Sequence, residues 1–446
     1  MPRISPSGSR KFIVDAWLVA VSFGKEHVGA LTGSTLHRAI IAISNFSITL
    51  VVARSLTPSL FGVFALLYVG LDFIRLLHGA IVSEPILYFA PGMKDDKLYP
   101  YIGRVVLIHL VLSVPMLLVG YIVGTASALF APPQTSHAIL ALGLCLPVLL
   151  LANIAERLYY SQSRLQWPIA AGIVELSTTL VALFCLRQLH VFSIWTAVLA
   201  LSIAQTAVIL FYAFSLRRHF REMMRARLGP AQKTFVEHFN FGRWSFTGHL
   251  MLWANNNVFI LLLPAMGNIK DNGVLRTLTT TTGPVTQGIA ALGGLLLPLL
   301  VRKRTTRAIF WHNALSVTAV MAFLCALFGV AFAIFGSSLV TLMYGAAYTP
   351  PAIAVRIAGF LPLGYTLIYF GGSIARALGR PDRIVKATII TAIVVWPLGV
   401  LTMLEMPLPG ALSGMVAALG LGGLLTLLLS SRVPVHPHLP GERFTG

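Results

Sequence analysis

Residues 53–70 read ARSLTPSLFGVFALLYVG, a hairpin between two apolar runs. The runs cover about 35–54 and 58–83, and each supplies the roughly 20 mostly apolar residues that a bilayer-crossing helix needs. Ten further segments of the same kind follow, at about 101–125, 138–160, 166–186, 191–215, 241–264, 274–300, 309–335, 350–375, 384–404 and 409–430. The hairpin is therefore the first turn of an all-α polytopic membrane protein with about twelve transmembrane helices.

Composition agrees. Of 446 residues, 57% are hydrophobic and 11% charged, against about 25% charged in soluble domains. The mean hydropathy is +0.82. A soluble enzyme, a disordered chain and a collagen-like chain are excluded. Lys and Arg number 33 against 14 Asp and Glu, a net charge of +19. In a soluble protein that excess would suggest nucleic acid. Here it is explained without nucleic acid, because membrane proteins gather Lys and Arg in cytosolic loops. Cys145, Cys185 and Cys325 are too few and too scattered for a metal site or a disulfide framework. No cofactor is implied.

The loops fix an orientation. Arg3, Arg10, Lys11 and Lys25 precede the first span, and Lys94 and Lys97 follow the second. The 6–7 loop holds Arg217, Arg218, Arg221, Arg225, Arg227 and Lys233. Arg302, Lys303, Arg304 and Arg307 lie between spans 8 and 9, and Arg376, Arg380, Arg383 and Lys386 between spans 10 and 11. The alternate loops carry only Arg54, Arg187 and Lys270. Positive charge stays inside, so both termini are expected in the cytosol. The apolar stretch 12–23 (FIVDAWLVAVSF) is interrupted by Asp15. It reads as an interfacial helix or as an extension into the first span rather than a signal peptide. The Pro-rich tail 431–446, with His436 and His438, reads as disordered.

The basic 6–7 loop divides the chain. The expected units are a cytosolic segment 1–33, a six-helix bundle 34–216, a linker 217–240, a second six-helix bundle 241–430 and a tail 431–446. Gly62 and Gly273 open spans 2 and 8 in matching places, 211 residues apart. Parallel repeats of this kind place a substrate site between two bundles related by pseudo-two-fold symmetry.

Polar groups inside a membrane are costly and mark function. Span 1 has Arg38, Asn45 and Thr49, and span 2 has Asp72, Arg75 and His78. Span 7 has His249, Trp253, Asn256 and Asn257; span 8 has Arg276, Thr280, Gly283 and Gln287. Gly283-Pro284 is expected to break the helix ladder beside a wet cavity. Arg38, Arg75 and Arg276 against one Asp predict a cationic cavity. An arginine at mid-bilayer costs about 2.5–3.5 kcal/mol, and its planar fork suits phosphate. Asn45, Asp72, His249, Asn256, Thr280 and Gln287 would line the rest. Plainer readings stand beside these. Asp72 and Arg75, at i and i+3, can neutralise each other. Arg38 and Arg276 can snorkel to the two surfaces. Glu156 can pair locally with Arg157, and His78 and His249 can be helix-contact residues. Glu175, with no adjacent base, and Asp72 are candidates for proton or sodium coupling.

Catalysis finds no support. The outer loops are short, and GxGxxG, Walker, HExxH and GxSxG motifs are missing. Asp95-Asp96 lies between two lysines and reads as a solvated loop.

Ala53-Arg54-Ser55-Leu56-Thr57-Pro58-Ser59-Leu60-Phe61-Gly62 resembles the first-hairpin motif A-R-x-L-x-P-x-x-[FY]-G of polysaccharide flippases. These belong to the multidrug/oligosaccharidyl-lipid/polysaccharide exporter superfamily. Span count, orientation and repeat extend the likeness over nearly the whole chain, although the second half lacks the Arg and Leu of the motif. The resemblance implies a V-shaped, alternating-access transporter of the bacterial inner membrane. Its cargo would be an undecaprenyl-pyrophosphate-linked oligosaccharide, for exopolysaccharide, capsule or O-antigen export. Arginines at the span positions of Arg38, Arg75 and Arg276 would hold the pyrophosphate. Membrane lipids, a glycan polymerase and other polysaccharide-assembly proteins would be its partners. A multidrug or cation antiporter of the same fold is the alternative, and it predicts an acidic cavity. A membrane polymerase or acyltransferase would need a large catalytic outer loop.

Overall fold

The structure is a computed structural model that describes residues 33, 36–224, 228–302 and 306–433. The expected interfacial helix at 12–23, nearly all of the N-terminal segment and the tail beyond 433 lie outside the described residues. No strand occurs among those described. The long helices are α1 (Leu36–Ser55) and α2 (Pro58–His78), which continues through a π turn at Gly79–Ser83 into Glu84–Phe89. Next come α3 (Asp95–Ser127), α4 (Pro133–Ser161), α5 (Gln166–Gln188), α6 (Ile194–Leu216), α7 (Leu228–Met266) and α8 (Ile269–Arg302). Then follow α9 (Arg307–Tyr344), α10 (Ala352–Ala358 with Leu361–Ala377), α11 (Asp382–Glu405) and α12 (Pro407–Ser431). Each predicted span falls on one of these helices, in order. Eleven are long and apolar enough to cross a membrane. The twelfth, α8, carries the threonine-rich run 279–282.

Local chemistry starts the helices where the chain turns. Thr57 caps α2, its side chain accepting from the Leu60 N–H, and Pro58 follows with φ already set for a helix. Ser193 and Thr196 form a capping box at α6. Gly345, at φ +99°, ends α9 in a conformation that side chains disfavour. Helices overrun the apolar runs at the Lys/Arg-rich end. α3 begins at Asp95 and α7 at Leu228, so part of the basic linker 217–240 is helical. Hydropathy reads the bilayer, whereas helix hydrogen bonding continues past it.

The ladder break expected at Gly283-Pro284 does not end the helix: α8 runs unbroken over Ile269–Arg302. Proline removes one N–H, and the helix carries on through the turn around it. Threonine hydroxyls nearby back-bond to the helix, Thr282 to Leu278 and Thr286 to Gly283.

Helices α1–α6 and α8–α12 form two bundles, and α7 belongs to both. Its first half packs on α2 and α3, where Tyr101 Oη lies 2.8 Å from His238 Nε2 and Arg104 donates to Thr234. Its second half packs on α11 and α12. There Asn255 accepts from Trp396 and donates to the Thr388 carbonyl, and the Phe259 ring fills the space beside Gly399 and Gly414.

The apolar cores give the V shape. Near the 56–57 and 345–351 turns, one cluster unites Ile48, Phe61 and Phe64 of the first bundle with Val274, Leu278, Phe332 and Tyr348 of the second. At the other end each bundle has a core of its own. One holds Val82, Ile102, Leu158 and Tyr212; the other holds Leu296, Phe310, Phe370 and Ile374. Gly62 and Gly273 decide how closely the joined end packs. A Cβ on Gly62 would overlap the Ile269 carbonyl oxygen, and one on Gly273 the Pro58 carbonyl oxygen. The two glycines that mark the sequence echo are thus the point where α2 and α8 cross backbone to backbone.

Candidate functional site

Where the bundles part, a cavity of about 470 Å³ lies between α1, α2, α4, α5, α6, α8 and α10. Its closed end is sealed by hydrogen bonds between the bundles. Tyr348 Oη donates to the carbonyls of Ala53 (2.8 Å) and Leu56 (3.0 Å). Arg54 donates to the carbonyls of Leu342 and Met343.

Seven of the ten residues expected to line the cavity or couple ions meet in it: Asn45, Asp72, Arg75, Glu175, Arg276, Thr280 and Gln287, with Thr49 and Gly283 of the same spans beside them. Three do not. Arg38 is exposed on the first turn of α1. His249 lies on α7, 3.9 Å from Glu84 at the end of α2. Asn256 is half-buried on α7, outside the lining. Helix faces were readable from spacing, but α7 presents its polar face to α2 and α11 rather than to the cavity.

Other lining residues had weaker signals. Tyr68 was hidden in an apolar run, and Gln205 is the one amide of α6. Asn153 and Glu156 line the cavity from α4. The formal balance of the lining is therefore two arginines against three carboxylates, Asp72, Glu156 and Glu175. The spans by themselves predict three arginines against one Asp.

These groups are sorted into two poles. At one, two guanidinium groups approach the Tyr68 ring, with Arg276 Cζ 4.8 Å and Arg75 Cζ 5.9 Å from its centroid. Both distances lie within cation–π range. The two arginines belong to different bundles, so the ring holds like charges together across the gap. Tyr68 Oη donates to Asn45 Oδ1 at 2.8 Å, which fixes the ring. Arg75 Nη1 is 3.4 Å from Asp72 Oδ1, the anticipated i,i+3 pair, and the side chains remain 30% and 44% exposed. That exposure leaves the fork of Arg75 open to the cavity. Arg276 Nε is buried with no hydrogen-bond partner among the described residues. At the other pole Gln205 Nε2 donates to Glu175 Oε1 at 2.7 Å, with Asn153 and Glu156 beside them. Among the described residues no group of three His, Cys, Asp or Glu is placed to hold a metal.

Comparisons with known proteins bear on the family and the fold. A family model described as "polysaccharide biosynthesis protein" matches residues 51–352. No curated protein sequence matches. Among solved structures, an inward-facing multidrug resistance MATE family transporter of the MOP superfamily matches with a TM-score of 0.70 at 13% identity, over 89% of this chain and 97% of that one. The outward-facing form of a transporter so described matches with a TM-score of 0.61 at 12% identity, over 90% and 94%. A mutant of the Vibrio cholerae MATE transporter VcmN gives 0.59 at 12% identity, over 93% and 97%. At these identities the likeness is one of fold.

Proposed function

The chain belongs to the polysaccharide biosynthesis protein family, and on that premise we propose that it translocates a prenyl-pyrophosphate-linked oligosaccharide by alternating access. One observation carries this reading: Arg75 and Arg276, from opposite bundles, converge on Tyr68 in a cavity closed at one end. A pyrophosphate bridging them would neutralise two cations that line the cavity. Asp72, Glu175, Gln205 and Asn153 would take sugar hydroxyls, since carboxylates accept from them and amides both accept and donate. The prenyl tail would stay in lipid. The open end carries the Lys- and Arg-rich loops, so the cargo would enter from the cytosol. The bacterial inner membrane, cytosolic termini and a neighbouring glycan polymerase belong to the same proposal.

The three carboxylates favour a second reading, export of a cationic small molecule by the same fold. Purified protein in liposomes separates the two. A fluorescent prenyl-pyrophosphate oligosaccharide is followed with a membrane-impermeant quencher. Transport by the native protein, reduced at least about tenfold in Arg75→Ala and Arg276→Ala, supports the flippase. Transport of a cationic dye instead, lost in Glu175→Gln and Asp72→Asn, would replace it.

A further inference from the structure

Two histidines outside the cavity meet inside the first bundle. His78 ends the regular part of α2 and His109 lies on α3, with Nε2 of the former 2.9 Å from Nδ1 of the latter. Both are buried, at 2% and 1% exposure, and their rings meet edge to face. A contact this short needs one N–H and one lone pair. His109 also neighbours Ser113, its Nε2 3.5 Å from the hydroxyl. His78 Nδ1 is buried with no hydrogen-bond partner among the described residues.

That orphan nitrogen decides what the pair can do in this conformation. With Nε2–H donating to His109, Nδ1 is a bare lone pair that can take a proton. The resulting N–H would be charged, buried and without an acceptor, which is costly. An added proton therefore favours any arrangement that brings water or a carbonyl to Nδ1.

The next five residues are the π turn, Gly79–Ser83. A π turn stores one extra residue, and releasing it would rotate the segment beyond by about 100°. That segment bears on α7. Gly242 of α7 packs so closely on the Ala80 carbonyl that a Cβ would overlap it. Phe89 stacks on His238, and Glu84 faces His249. Since α7 packs on both bundles, a rotation here reaches both.

We propose that His78 and His109 form a proton-binding site whose loading drives the bundles between their two arrangements through the π turn and α7. The site rests on the transport reading only for the purpose of that movement. The other titratable groups around it are His238, bonded to Tyr101, and Glu84 with His249, all at the α7 contact. On α2 itself Asp72 and Arg75 pair with each other, and α4 presents the Pro147 carbonyl to His109.

The test needs no cargo. Spin labels replace Gln166 and Lys386, exposed residues at the open ends of the two bundles, in full-length protein whose three native cysteines are serine. Between about pH 8 and about pH 5 the distance distribution is expected to shift, with at least about a fivefold change in the population ratio. His78→Gln and His109→Gln keep a donor and an acceptor without titrating, and are expected to abolish the shift. A distribution that ignores pH in the native protein, or a shift that survives in both variants, overturns the site. If the variants do not insert, nitrogen NMR of labelled histidines in the native protein decides. A proton added to a buried histidine pair over that range supports the site, and unchanged histidine signals overturn it. Failure of the flippase assay leaves either result standing.

Discussion

The two ends of the molecule are packed differently. At one, a single apolar cluster crosses from Phe61 and Phe64 to Phe332 and Tyr348, and Gly62 meets Gly273. At the other, the cores around Ile102 and around Phe370 are separate. Apolar burial joins the bundles only where backbones come close enough to exclude water. The cavity lies at the boundary between joined and separate cores, so a movement that shifts this boundary would turn the opening to the other side. Arg54 and Tyr348 tie the joined end by hydrogen bonds that such a movement must break.

Breaking the joined end should give the largest effect. Gly62→Val or Gly273→Val forces two backbones apart and should cost at least about 3 kcal/mol in the closed arrangement, on the order of a hundredfold in population. Gly70→Val on the same helix, where a Cβ meets nothing within 4 Å, should change little. A cysteine at the cavity residue Thr280, half-buried on α8 and labelled from each side with an impermeant reagent, reads both. Unchanged labelling in the Gly62 and Gly273 variants would show that the crossing does not hold the end shut.

Tyr348→Phe removes the hydroxyl that donates to the buried Ala53 carbonyl and the part-buried Leu56 carbonyl. The expected cost is about 1–2 kcal/mol, a factor of about 5–30 in the same labelling assay.

The smallest effect is expected at the open end. Asp382, on the first turn of α11, receives two hydrogen bonds from Arg380, at 2.9 and 3.0 Å. Arg383 and Lys386 lie 3.6 Å away. The Arg380 hydrogen bonds, then the surrounding cations, hold its carboxyl down at about 2. A depressed carboxyl contributes fully above its ordinary value and loses that contribution as pH falls towards about 2. The cluster is exposed, so Asp382→Asn should lower Tm by no more than about 2 °C at neutral pH. Native and variant should converge in acid. A larger loss would mean that the turn also helps to hold the bundles.

Much of the arrangement was readable beforehand. Span order, the two halves and the glycine echo follow from apolar run length and local turn residues, which act within one helix or one hairpin. Arg75, Arg276, Asp72, Thr280 and Gln287 were readable because polar groups in a membrane stand out singly. Tyr68 was not, because an aromatic ring in an apolar run carries no mark that two arginines from different helices approach it. Glu156 looked like a partner of its neighbour Arg157, while the fold turns it into the cavity. Arg38 shares the face of Asn45 and Thr49 but lies at the exposed end of α1, outside the lining, and His249 faces Glu84 instead of the cavity.

Apolar run length already requires that this chain cross a membrane about twelve times, as two related halves, because burial in lipid is decided residue by residue along each helix. Tertiary structure alone decided which polar groups share a cavity, that its charges are mixed rather than cationic, and which end is closed. Those properties depend on helix rotation and on contacts between residues some two hundred positions apart, such as Gly62 with Gly273 and Tyr68 with Arg276.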